Sequence, residues 1–72
     1  MIRHLSAHDL GEIAASGASL EIDGAPHSAL DLGGIAARLT HRATLKVCNS
    51  AHLSAMDMGG IAAHKPGQVI FA

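Results

Sequence analysis

Apolar residues return along the chain in three sets at helical spacing: Ala7, Leu10, Ile13 and Ala14; Ala29, Leu32, Ile35 and Ala36; Ala55, Met58, Ile61 and Ala62. Residues three and four apart share one face of an α-helix, so each set is an apolar stripe suited to a core. Each stripe starts just after a serine, Ser6, Ser28 or Ser54, with an aspartate three residues later, Asp9, Asp31 or Asp57. The serine hydroxyl accepts from an early helix N–H while the carboxylate reaches back to the serine N–H, which predicts a capping box at every start. Helices are expected over residues 6–16, 28–39 and 54–64. Leu5 and Leu53 precede the capping serines and are placed to staple onto Leu10 and Met58, whereas His27 holds that place in the middle segment.

After each helix the period changes from helical to alternating. Gly17 precedes Ser19-Leu20-Glu21-Ile22-Asp23, a polar turn precedes Thr44-Leu45-Lys46-Val47-Cys48, and Pro66-Gly67 precedes Gln68-Val69-Ile70-Phe71-Ala72. These predict strands over 18–23, 43–48 and 68–72, with a further edge strand over 1–4. Aligned, Leu20, Ile22, Leu45, Val47, Val69 and Phe71 share one face. Glu21, Lys46 and Ile70 share the other, with Glu21 beside Lys46 as a cross-strand pair.

The three helix starts are copies of one another: Ser6 to Ala15, Ser28 to Ala37 and Ser54 to Ala63 are identical at 7 of 10 positions, at offsets of 22 and 26 residues. Similarity at such a period marks a stacked supersecondary unit. The expected fold is therefore a small two-layer α/β repeat domain, residues 1–72 forming one domain of units 4–23, 26–48 and 52–72. Right-handed crossovers would place the helices on one side of a parallel sheet. The pairs Gly33-Gly34 and Gly59-Gly60 count against helices, since a helical glycine costs about 1 kcal/mol relative to alanine. Close approach of neighbouring backbones would offset them. The alternative is a parallel β-solenoid in which Gly-Gly-Ile-Ala-Ala forms turn and strand, but Ala is too abundant and Thr and Val too scarce for well-formed strands there.

Composition adds a reason to expect association. Hydrophobic residues make up 49% of the chain, yet 14 are Ala, leaving 20 large apolar side chains. A domain this short buries only about 60% of its unfolded surface. Five Lys and Arg against six Asp and Glu give no basic excess for a phosphate backbone or an anionic bilayer, and Phe71 alone offers an aromatic ring. Nucleic acid and membrane are thus not expected partners. The single Cys48 cannot form an internal disulfide, which suits a reducing cytoplasm, and residues 1–12 show no apolar run of a targeting peptide.

Candidate chemistry is sparse. Six histidines are present, and His4, His27 and His52 lie just before the capping serines, where a ring of helix N-termini could attract an anion. His27, Cys48 and His52 could offer metal ligands, and with Asp23 a Cys-His pair, but the lone Cys-x-x-x-His lacks the paired motif of a closed zinc site. The bland reading of these residues as loop polar groups is preferred, and Asp9, Asp31 and Asp57 are assigned to capping. Arg38, His41, Arg42 and Lys46 read as a solvated basic face. No cofactor and no catalysis are expected. The last strand is apolar and carries no Lys or Pro to discourage pairing, so Ile2, Val69, Ile70 and Phe71 are the candidate interface. The expected function is self-association through sheet edges into a homo-oligomer or filament. A protein adaptor working by strand addition and an anion or metal binder at the histidine edge are the alternatives.

Overall fold

Each helix starts on its predicted serine. In the computed structural model, which describes residues 1–72, α1 (Ala7–Ala15), α2 (Ala29–Ala37) and α3 (Ala55–Ala63) follow Ser6, Ser28 and Ser54. Each serine hydroxyl accepts from the aspartate N–H three residues on, at 3.1 Å. The reciprocal bond forms only in α3, where the Ser54 N–H donates to Asp57 Oδ2 at 3.3 Å. The capping boxes expected at α1 and α2 are thus half made. Aspartate is one methylene shorter than the glutamate usual at this position, and even in α3 the return bond is long.

The alternating runs become β1 (Leu20–Asp23), β2 (Leu45–Cys48) and β3 (Val69–Phe71), all parallel in an open sheet of order β1-β2-β3. The register joins Leu20, Leu45 and Val69 in one row and Ile22, Val47 and Phe71 in another, as alternation predicts. The helices cover this face. Leu20, Ile22, Leu45 and Val47 pack with Leu10, Leu32, Ile35 and Ile61 in one buried core. The parallel β-solenoid alternative fails, because both Gly-Gly-Ile-Ala-Ala stretches are helical.

The edge strand expected over 1–4 is reduced to one bridge, Ile2 to Ile22. The Ile2 N–H donates to the Glu21 carbonyl at 2.8 Å, and its own carbonyl accepts from the Asp23 N–H at 2.9 Å. Only Ile2 is apolar and half-buried in this stretch; the chain bends at His4 and Leu5 to reach the α1 cap. The Glu21–Lys46 cross-strand pair is also absent as an ion pair. The residues are direct neighbours, but the two ion pairs of the structure both use Glu12, with His8 and with Arg38. Exposed pairs gain little against screening and side-chain entropy.

No helical glycine meets the backbone of a neighbouring element; at Gly11 and Gly33 the close neighbour is a side chain. A Cβ at Gly11 would lie 3.3 Å from the Arg38 side chain, and one at Gly33 would lie 3.3 Å from His64 Nε2. Around Gly34, Gly59 and Gly60 there is nothing within 4 Å, so the close-approach expectation fails there and nothing in the structure explains them. The breakers behave as expected at Gly17 and Gly67, with φ of 104° and 82°, a region glycine enters without a Cβ clash. The middle turn has no glycine, and Arg42 takes φ 69° in its place.

Side chains also tie successive segments together. Lys65 Nζ donates to the Ala37 carbonyl at the end of α2, at 3.0 Å. Gln68 Nε2 donates to the carbonyls of Thr40 and Ala43, both at 2.8 Å, fixing the approach to β2. These bonds hold the entry to β3 against the segment before it.

Candidate interaction surface

In a parallel ladder an edge strand bonds its neighbour through alternate residues, and the others turn their N–H and C=O outward. On β3 the inward set is fixed: the Gln68 carbonyl accepts from the Leu45 N–H at 2.8 Å, and the Ala72 N–H donates to the Val47 carbonyl at 2.9 Å. Val69 and Phe71 therefore present their backbone groups away from β2, and neither makes any backbone bond outside the sheet ladder. Their side chains are half-buried over the core, while Ile70 is 50% exposed on the uncovered sheet face beside Lys46. Val69, Ile70 and Phe71 thus form one open, apolar edge.

Ile2 is placed differently from the other candidate interface residues. Both its backbone groups are committed to β1, so it covers that edge rather than opening it. The neighbouring Met1 carbonyl and Arg3 N–H are the groups turned away from β1, and neither has a backbone partner.

Between α2 and α3 the outer helix surface carries an open groove of about 470 Å³, with Leu30 and Met56 on its rims. These side chains are 86% and 87% exposed. Gly33, Gly34, Gly60 and His64 also line it.

The histidine edge does not assemble into a metal centre. No three His, Cys, Asp or Glu side chains converge in a ligand group. His27 is buried, and His52 places Nε2 2.8 Å from the His27 carbonyl, which requires the Nε2–H tautomer and removes that nitrogen as a ligand. Cys48 Sγ lies 4.0 Å from Glu21 Oε2, on the uncovered sheet face rather than beside the histidines. Nor does Asp23 orient an imidazole: its Oδ1 accepts from Asn49 Nδ2 and from the Ala25 N–H, both at 3.0 Å. The Asn49 bond, and after it the Ala25 N–H, hold the Asp23 carboxyl below its usual pKa against an opposing desolvation, with lesser help from the charges of Arg3 and His27. A depressed carboxyl favours the fold above its ordinary pKa, and that contribution disappears as pH falls through the lowered value.

Compared with family models, curated proteins and solved structures, the chain matches none. No helix is long and apolar enough to cross a membrane.

Residues beyond the sequence-derived candidates also matter. Met58, Gly59 and Ala62 extend the uncovered surface from β3 onto α3, and Leu5 and Ile13 are half-buried at the opposite end. The signal for them was present in the like segments, where Gly, Ile and Ala recur at equivalent positions and are buried or open according to which helix lies beside them.

Proposed function

We propose that this protein is a non-enzymatic structural or interaction protein that associates with itself through the open edge of β3. One observation carries the reading: Val69 and Phe71 offer unpaired backbone groups on an edge whose side chains are apolar and only half covered. Such an edge is a template for another strand unless charge, proline or a covering element blunts it, and β3 has none of these. The small core supports the same reading, because added partner surface completes the burial that a short chain lacks. The three like segments support stacking as a repeat unit. Cys48 as a free thiol suits a reducing compartment such as the cytoplasm. The same edge could accept a strand of a different protein, and self-association is preferred because the chain itself carries matching strands.

Light scattering behind size exclusion, run over a range of concentrations, tests this directly. The wild-type protein is expected to grow in mass with concentration, while Phe71→Pro stays monomeric. The Phe71 N–H faces away from β2, so proline removes an outward donor without breaking the internal ladder. A wild-type monomer at every concentration contradicts self-association and leaves strand addition from a different protein.

A further inference from the structure

The two ends of the domain are complementary. In α2, which has a helix on each side, Leu32, Gly33, Ile35 and Ala36 are all buried. In α1, with a neighbour on one side only, the equivalents of three of these are buried, Leu10, Gly11 and Ala14, while Ile13 is half-exposed. In α3 the pattern reverses: Ile61 alone is buried, while Met58 and Ala62 are half-exposed and Gly59 is exposed. The leucine, glycine and alanine positions are thus covered by the following helix, and the isoleucine position by the preceding one. What α3 leaves open is the surface that α1 and α2 each present to the helix after them. What α1 leaves open is the surface that α2 and α3 each present to the helix before them.

The sheet repeats this logic. Leu20, Ile22, Leu45 and Val47 are buried, but Val69 and Phe71 at the β3 end are half-exposed. At the other end Leu5 is half-exposed, whereas its counterparts His27 and Leu53 are each 8% exposed. Ile2, Ile22, Val47 and Phe71 lie in one register row. Continuing that row beyond Phe71 with Ile2 of another copy would let the Phe71 N–H donate to the Met1 carbonyl and the Arg3 N–H donate to the Phe71 carbonyl. Those are the groups both edges leave unpaired.

We infer that the occupant of the α3–β3 face is the N-terminal face of a second copy, so that copies stack head to tail in continuation of the internal α1–α2 and α2–α3 contacts. The inference rests on the self-association proposed above and specifies its geometry: the contact is heterologous, with two different faces, and generates a ring or an open filament rather than a two-fold dimer. The junction differs from the internal ones in one respect. Arg38 and His64 follow α2 and α3 and lie over Gly11 and Gly33, whereas the residue following α1 is Ser16, too short to cover Gly59 in the same way.

Complementation of blocked faces tests this polarity. Ala62→Arg obstructs the α3 face, and Ile13→Arg obstructs the α1 face. Each variant alone is expected to be monomeric under conditions where the wild type associates. An equimolar mixture, in which each partner keeps one intact face, is expected to form a complex of about twice the monomer mass and to stop there. If Ile13→Arg loses its fold by circular dichroism, Arg3→Pro blocks the same face by removing an outward N–H that makes no internal bond. If the wild type associates but the mixture does not, or if either variant alone still dimerises, the head-to-tail geometry is overturned while self-association stands. A wild type that never associates overturns both.

Discussion

Leu45→Ala is expected to destabilise the fold by roughly 3 kcal/mol, within the range for a leucine deleted from a close-packed core. Leu45 has no exposed surface and sits on the central strand, between Leu20 and Val69 in its register row. Its neighbours come from both adjoining strands as well as the helix layer, so few can move into the cavity without disturbing the ladder. A domain of this size is expected to have a total stability of about 5 kcal/mol, so the substitution removes a large share of it. Urea unfolding at low protein concentration, where association does not contribute, checks the value. A loss below about 1 kcal/mol would mean that the core around β2 relaxes far more than its packing implies.

Gly24→Ala is expected to destabilise by about 2 kcal/mol, through overpacking rather than a cavity. A Cβ at Gly24 would lie 2.5 Å from Val47 Cγ1 and 3.0 Å from the Cys48 carbonyl oxygen. Val47 is fully buried, and the Gly24 N–H donates to that same Cys48 carbonyl at 2.7 Å. Retreat in one direction breaks the bond, and retreat in the other compresses the core. The cause can be isolated with a double-mutant cycle: in a Val47→Ala background the clashing methyl is gone, so Gly24→Ala should lose much less stability than in the wild type. Additive effects in that cycle would place the cost elsewhere.

Gly24 also shows where sequence reading stops. Its requirement comes from Val47 and Cys48 on the neighbouring strand, and no local pattern around Asp23-Gly24-Ala25 announces a contact across the sheet. By contrast, the helix starts were legible because Ser6, Ser28 and Ser54 act on backbone only three residues away. The register was legible too, because a one-residue slip would have turned Ile22 and Val47 out of the core and Glu21 and Lys46 into it. The edge strand expected over residues 1–4 shrinks to the bridge at Ile2, because Arg3 and His4 offer nothing to bury. Close backbone approach does not account for the glycine pairs: Gly33 lies under the His64 side chain, and Gly34, Gly59 and Gly60 have nothing within 4 Å.

The candidate site divides in the same way. The edge character of Val69, Ile70 and Phe71 follows from alternation and from the lack of Lys or Pro, both visible in the sequence. That Ile2 would be committed to β1 depended on which backbone groups face inward. The extension of the open face onto Met58 and Ala62 depended on knowing that a helix lies beside α1 and α2 but not beyond α3. Cys48 and His52 are four residues apart yet do not converge, because Cys48 lies on the uncovered sheet face while His52 bonds the carbonyl of the distant His27.

Amide hydrogen exchange at Phe71, followed as protein concentration is raised, tests edge-mediated association most directly. Its N–H points away from β2, whereas the Ile70 N–H lies within the ladder and should be protected at every concentration. Association through the β3 edge predicts that Phe71 exchanges quickly in dilute solution and becomes protected as the protein assembles. Rapid exchange at Phe71 in a sample that light scattering shows to be assembled would contradict it.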